Sequence, residues 1–453
     1  MRRAVARLAL VACLALVVGT RLASAEVIRE IRVQDNTKTT ADTVELIANI
    51  AKGDDWSPDM ADQVRSNLVS SGLFKDVEVF WSPVEGGVRV TILVKDKHSW
   101  VIAPTFYNQP TNKGAGLGFG ENNLFGKGQK LLIYAQAATG DSFFVGAWVL
   151  PAIGGSRFYA QFDTFLKSSR YIEYAPPGNY LSTPEPVRQS RMHYYNGGLR
   201  LGVEPFRGVK LDARLRGAWV DVQDVRALTS DLRQISDDPD LDPNAIPAPG
   251  SDGWDVSNEV SLTIDRRANW YGIASGHRLQ LSYERSLPRL GSEFRYSLVS
   301  GSFYKAWKIL DRHNFIVRGG GIYGHELPFQ QELTMGGTAM RGWLNDQFRG
   351  DVRVTGTAEY SVPLFTIKGF SARGLAFFDS GYTSFLTTGN EDRNYLPGAR
   401  RDQQDALAGF KNSAGVGTRF YLRQIVLPLL GLDLGYGLEA RDFQVYLAIG
   451  LTD

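Results

Sequence analysis

The 453-residue chain has one cysteine, Cys13, and it falls within an N-terminal leader. Downstream of that leader there is no thiol, so disulfides, thiolate metal sites and cysteine nucleophiles are excluded. The five histidines, His98, His193, His277, His313 and His325, show no metal-ligand spacing. A G-x-S-x-G nucleophile elbow is absent too, so neither metal, cofactor nor catalytic centre is expected. Charge of one sign is also lacking, with 50 basic residues against 48 acidic. Arg2, Arg3, Arg7 and Arg21 lie in the leader, and removing these four leaves 46 against 48. That balance gives no footprint for nucleic acid. Beyond the leader no run of about 18 apolar residues occurs, which excludes membrane-crossing helices.

Residues 1–25 read as a cleaved secretory signal. Arg2, Arg3 and Arg7 supply the positive start, Leu8 to Val18 an apolar stretch too short to span a bilayer, and Ala23-Ser24-Ala25 the small-residue cleavage site before Glu26. An uncleaved anchor is disfavoured because the apolar stretch is short and is followed by Arg21. Leu10-Val11-Ala12-Cys13 resembles a lipoprotein box, but the apolar run continues past it.

What the chain does have is alternation. From about residue 100, segments of roughly ten residues alternate apolar and polar side chains, the pattern of a transmembrane β-barrel. Leu211, Ala213, Leu215, Gly217 and Trp219 oppose Asp212, Arg214 and Arg216. Phe158, Ala160 and Phe162 oppose Arg157, Tyr159, Gln161 and Asp163, and Val260, Leu262 and Ile264 oppose Ser261, Thr263 and Asp265. Val352 and Val354 oppose Arg353, Thr355 and Glu359. A soluble sandwich alternates as well, but it has no reason to cap its strands with aromatics. Trp100, Tyr107, Trp148, Tyr194, Tyr195, Trp219, Trp270, Tyr271, Tyr283, Tyr304, Trp307 and Tyr323 are expected to form such girdles.

About sixteen strands are expected, an even number as bacterial barrels require. They start near residues 100, 114, 128, 142, 156, 190, 208, 255, 275, 293, 311, 350, 370, 409, 430 and 441. Long connections (167–189, 222–254, 323–349 and 382–408) all follow odd-numbered strands, and every connection after an even-numbered strand is short. With the N-terminus in the periplasm, the long connections face outside. The acidic run Asp237 to Asp242 lies in one of them and reads as a solvated loop, since an EF-hand's glycine and terminal glutamate are missing. Glycines 114, 116, 118 and 120 alternate along a strand and open no helix, so they do not form a dinucleotide loop.

Residues 26–97 have other periods. Val27, Ile31 and Val33 mark a strand, Ala41 to Ala51 a helix, and Ser57-Pro58 the N-cap and first position of a second helix. Val64, Leu68 and Val69 form its apolar stripe, and Gly72 stops it. Strands at Val77–Trp81 and Val88–Val94 flank a Gly86-Gly87 turn, for the order β-α-α-β-β.

That order, with Ser71-Gly72-Leu73-Phe74-Lys75-Asp76-Val77 leading into the second strand, resembles a polypeptide-transport-associated (POTRA) domain. Four barrel segments carry the resemblance onward: Gly116 to Gly128, Met340-Arg341-Gly342-Trp343, Gly374 to Gly381, and Ser413 to Phe420. Together the chain is similar to the POTRA-containing outer-membrane β-barrel assembly-factor family of Bam- and Tam-type insertases, the bacterial surface antigen family. Met340 and Trp343 are variants within the family's [V/I]-R-G-[F/Y] loop tip. Asp453 stands where the family has a terminal aromatic, leaving Phe443, Tyr446 and Leu447 as the internal alternative, and one POTRA domain stands where the best-studied insertases have several.

The resemblance implies a single POTRA domain (26–97) and a sixteen-stranded barrel (98–453) in the outer membrane of a Gram-negative-type bacterium, with the POTRA domain in the periplasm. It implies that Met340, Arg341, Gly342 and Trp343 lock a loop inside the barrel, with Arg341 against Glu359, Phe377 and Asp379 by ion pairing and cation–π contact. It further implies a weak seam involving Trp100, Tyr436, Gly437, Phe443 and Tyr446. The expected function is capture of unfolded client strands and templating of their insertion, with outer-membrane protein clients, lipids, and periplasmic chaperones or lipoproteins as partners. A two-partner secretion pore and a passive structural barrel are the alternatives.

Overall fold

The computed structural model describes residues 26–449 apart from 110, 154–155, 175–185, 207, 229–249, 271–272, 311, 368–369, 387–408 and 423–427. The expected signal peptide and the acidic run 237–242 lie outside the described residues. Two compact units are present: Met1–Trp100 with Glu121–Gln129, and Val101–Gly120 with Lys130–Asp453.

The first unit contains β1 (Glu26–Gln34), α1 (Ala41–Ala48), β2 (Asp55–Trp56), α2 (Pro58–Ser70), β3 (Phe74–Val84) and β4 (Gly87–Asp96). Its sheet runs β2-β1-β4-β3, with β1 parallel to β4 and the other neighbours antiparallel. Alternation on the central β4 buries Val88, Val90, Ile92 and Val94 against Val44 of α1 and Val64 and Leu68 of α2. Two expectations are corrected, while the Ser57-Pro58 start of α2 lies where expected. The two-residue β2 adds a strand, making the order β-α-β-α-β-β. Val69 is exposed, because the stripe Ala61, Val64 and Leu68 follows three- and four-residue steps and the next position turns away from it. Ser57 sits at the N-cap of α2 without a side-chain cap bond, whereas Thr40 accepts from the Thr43 amide and caps α1. Gly72 ends α2 with φ +74°, the left-handed conformation that glycine adopts freely.

The remaining strands form a closed barrel, most of it in the second unit. Its strands are β5 (Trp100–Asn108), β6 (Lys113–Leu124), β7 (Gln129–Ala138), β8 (Asp141–Leu150), β9 (Phe158–Tyr174), β10 (Pro186–Phe206), β11 (Val209–Ala227) and β12 (Gly253–Asp265). They continue through β13 (Ala268–Trp270), β14 (Ile273–Ser286), β15 (Ser297–Ile309), β16 (His313–His325), β17 (Leu333–Met335), β18 (Phe348–Gly350), β19 (Val352–Ile367), β20 (Phe370–Ser384), β21 (Lys411–Leu422), β22 (Pro428–Gly437) and β23 (Asp442–Ile449). Leaving aside the short β13 and the β17–β18 hairpin, sixteen strands close the wall by pairing β23 with β5.

Along β11 the alternation lies as the residues dictate: Leu211, Leu215 and Trp219 face outward, and Asp212 and Arg216 are buried inside. Inward charges are neutralised across neighbouring strands, Arg200 by Asp212 and Glu259, and Arg214 by Asp163. Outward aromatics pair: Trp148 stacks on Phe162, Trp219 meets Trp254 edge-on, and Trp307 stacks on Phe315.

Tyr271 lies outside the described residues, and three of the other expected girdle aromatics belong inside instead. Tyr194 bonds Arg216, the Tyr304 ring lies under Arg267, and Tyr107 lines the inner cavity. Each sits on the inward step of its strand, where a phenol serves as a hydrogen-bonding group. Strands also reach further than expected. Residues 167–174, 186–189 and 222–227, read above as loop, extend β9, β10 and β11 beyond a membrane-sized span. Their polar side chains pair there, as in the buried Arg188–Glu173 bridge at 2.5 Å.

Candidate functional site

The connection between β16 and β19 turns back into the barrel. Two short 3-10 turns (Phe329–Gln331 and Gly337–Ala339) and the β17–β18 hairpin shape it. Glycine is required at its bends, since Gly336, Gly337 and Gly342 have φ of +131°, +66° and +96°. Met335, Met340, Trp343 and Phe348 form a small buried core, with Trp343 and Phe348 in an edge-on contact at 5.2 Å. Arg349 and Glu332 pair within the loop at 2.8 Å, and Gln331 reaches Asp255 on β12 at 3.0 Å.

Met340, Arg341, Gly342 and Trp343 come together at the tip with the three expected partners. Arg341 donates from Nε and Nη2 to the two oxygens of Asp379, each at 2.9 Å. Its guanidinium lies 3.4 Å from the Phe377 ring centroid, and its Nη1 is 3.4 Å from Glu359. Parity along β20 explains the cluster: Phe377 and Asp379 are buried inward while Phe378 between them is exposed.

Sequence reasoning missed the rest of the network. Asp433 on β22 lies 3.5 Å from Arg341 and holds Arg419 through two bonds of 2.6 and 2.8 Å, while Arg318 pairs with Glu359 at 3.2 Å. Three guanidiniums thus meet three carboxylates, so the cluster is neutral, as buried charge must be. Asp433 interrupts Leu430-Gly431-Leu432 and Leu434 on the inward step, a signal that could have identified it.

Glycines on the wall make room for this tip. A Cβ at Gly435 would sit 2.6 Å from the Gly342 nitrogen, one at Gly415 2.4 Å from Phe377, and one at Gly381 2.5 Å from the Met335 sulfur. Opposite Asp433, Tyr446 of β23 fixes the tip from its hydroxyl, accepting from the Gly342 amide (3.0 Å) and donating to the Trp343 carbonyl (2.6 Å). Asn345 then donates to Gln109, just past β5, at 2.8 Å. Beside the loop lies a cavity of about 1370 Å³, lined mainly by charged and polar residues including Arg353, Arg373, Tyr134 and Gln136.

The expected seam is rearranged. Among the described residues the β23–β5 ladder has three pairs, Phe106, Tyr107 and Asn108 with Ile449, Ala448 and Leu447, whereas β22 and β23 share eight. Tyr436 and Gly437 lie one strand inward on β22, opposite Phe443 and Asp442. Trp100 begins β5, well ahead of the paired residues. Phe443 and Tyr446 are on β23, but Phe443 faces outward against Tyr436 and Tyr446 faces the loop. Strand parity sorts them, because 443 and 446 are an odd number of residues apart.

Residues 123–442 match the Omp85 superfamily domain. Among solved structures, BamA from Haemophilus ducreyi lacking POTRA domains 1–3 superposes with a TM-score of 0.63 at 17% identity, covering 94% of this chain and 84% of that one. CdiB from Acinetobacter baumannii gives 0.60 at 15% identity over 94% and 74%, and CdiB from Escherichia coli gives 0.62 at 14% identity over 94% and 77%. No curated protein sequence matches the chain.

Proposed function

Because the chain belongs to the Omp85 superfamily, we propose that it sits in the outer membrane of a Gram-negative-type bacterium and inserts client β-strands into that membrane, with residues 26–97 acting as a periplasmic POTRA domain. The observation that carries this reading is a loop tip seated beside the ladder that closes the wall between its first and last strands. Arg341 binds carboxylates on β19, β20 and β22, Tyr446 ties the same tip to β23, and β23 meets β5 through three described pairs. An unpaired strand edge in hydrocarbon is costly, so the ladder joining the first and last strands is the place where a client strand can exchange for the barrel's own partner. In the first unit β3 is an edge strand that exposes Phe80 on one face and Trp81 on the other, which supports capture of an extended segment by strand addition.

Cysteines at positions 108 and 447, paired across the ladder, test the mechanism. Oxidation should stop insertion of other barrels, and reductant should restore it. Unchanged insertion by the oxidised protein would overturn strand exchange. The polypeptide-secretion reading is supported by the polar cavity beside the loop. Depletion followed by an outer-membrane and culture-fluid proteome separates the two: loss of many barrels indicates insertion, loss of one secreted polypeptide indicates export, and loss of neither indicates a structural barrel.

A further inference from the structure

We propose that the outer wall carries a binding site for an anionic phospholipid, with its phosphate on Lys305 and one acyl chain in a glycine-floored groove across β15, β16 and β19. The groove holds about 530 Å³ and is walled by Leu279, Leu281, Phe303, Val317, Val354 and Phe378. Its floor is Gly301, Gly319, Gly321 and Gly356. Register places them on the outward step, since Gly301 pairs with Gly321, Gly319 with Gly356, and both rows continue into exposed Leu281, Phe303 and Val354. The groove is therefore continuous with the hydrocarbon-facing surface, and its occupant is drawn from the bilayer.

Backbone needs do not account for two of these glycines. Neither Gly321 nor Gly356 is left-handed, and a Cβ would come no nearer than 3.9 Å to Val354 at the first and 4.0 Å to Arg318 at the second. Larger residues fit both positions, yet the recess is left open there, whereas Leu, Val and Phe fill this face elsewhere.

The head-group end is a second, independent feature. One row further toward the tight-turn end, Lys305 and His277 are cross-strand partners on the same outward face, followed by Val317, Ala358 and Phe378. The next row carries Trp307, Phe315 and Tyr360, with Trp307 stacked on Phe315 and Tyr360 bonded to His313 at 2.6 Å. These amphipathic rings mark the interface. The Lys305 ammonium lies 5.7 Å from the Trp307 ring centroid, toward that belt, and among the described residues no carboxylate pairs with it. A cation on the lipid face, between an aromatic belt and an apolar groove, complements a phosphate with an acyl chain running from it.

The test uses the full mature chain in nanodiscs of phosphatidylethanolamine and phosphatidylglycerol, the latter bearing a photoactivatable acyl chain. Label should concentrate on peptides containing residues 301–321 and 354–358. Lys305→Gln should lower phosphatidylglycerol retained in native mass spectra about five-fold, the equivalent of roughly 1 kcal/mol per basic residue at an anionic surface. Gly356→Ile should fill the groove and abolish the local label. Heat-modifiable gel migration of both variants establishes that the barrel is folded. Label spread evenly around the wall, or retention unchanged in both variants, would overturn the proposal. So would a photoreactive residue at position 356 that captures a second copy or another polypeptide in membranes in place of lipid.

Discussion

Removing the Arg341 guanidinium should release the loop from the barrel wall. In Arg341→Ala the 2% exposed Asp379 and the 8% exposed Glu359 lose a shared cation, and the Phe377 face loses its charge partner. Breaking a buried pair by truncating one member costs about 3–5 kcal/mol, mostly because the other charge is left unpaired. That cost lowers the docked-to-undocked ratio of the loop by roughly two to four orders of magnitude. Amide exchange across residues 333–350 in detergent reads it directly, with barrel integrity followed by gel migration before and after boiling. Arg341→Lys keeps the charge but forfeits the two-pronged bond to Asp379, so it should fall between. In a cycle with Asp379→Ala the double variant should recover at least about 1.5 kcal/mol relative to the sum of the singles, because it no longer buries that orphan carboxylate. If Arg341→Ala exchanges like the wild type, the loop is held by Met335, Met340, Trp343 and Phe348 alone and the ionic account is wrong.

Other consequences can be checked with the same observables. Gly435→Val places side-chain atoms where the Gly342 nitrogen sits and should undock the tip at a cost of about 1–3 kcal/mol, with exchange rising in 340–344 and the barrel intact; unchanged exchange would refute the close approach. Tyr446→Phe removes the hydroxyl shared by Gly342 and Trp343 and should weaken docking by about 1–3 kcal/mol; protection equal to wild type would show that the phenol is dispensable. In the first unit, burial raises the Asp96 pKa, but the Lys38 amide, the Thr39 hydroxyl and the Thr37 and Thr39 amides outweigh it and leave it below the ordinary carboxylate value. A depressed folded pKa means its stabilisation is complete above the ordinary value of about 3.8 and is lost as pH falls through the folded one. Residues 37–39 should therefore open at acid pH in the wild type and at all pH values in Asp96→Asn, by roughly 1 kcal/mol after allowing for partial exposure; a flat pH profile of intrinsic-rate-corrected exchange there would contradict this.

How much of this was legible follows from where each constraint originates. Lipid outside and water inside impose a period of two on every strand, so all sixteen barrel strands begin within four residues of the starts read from alternation. Strand ends were less visible in β9, β10 and β11, because past the membrane both faces are wet and the pattern dissolves while the pairing continues. Glu359 and Asp379 were accessible from parity and a motif resemblance, but Asp433, Tyr446 and Gln109 depend on where one loop lands, up to 236 positions away in the chain. Glycine shows the limit most clearly. By alternation alone, Gly381, Gly415 and Gly435 cannot be told from Gly321 and Gly356, since all are small residues on alternating strands. In the fold the first three each have a loop or ring atom within 2.6 Å of an absent Cβ, and the last two face nothing closer than 3.9 Å. The inward set is therefore required by packing, and its substitution should disturb the loop. The outward set is free of that demand, so its meaning must be sought in the solvent it faces, which here is lipid.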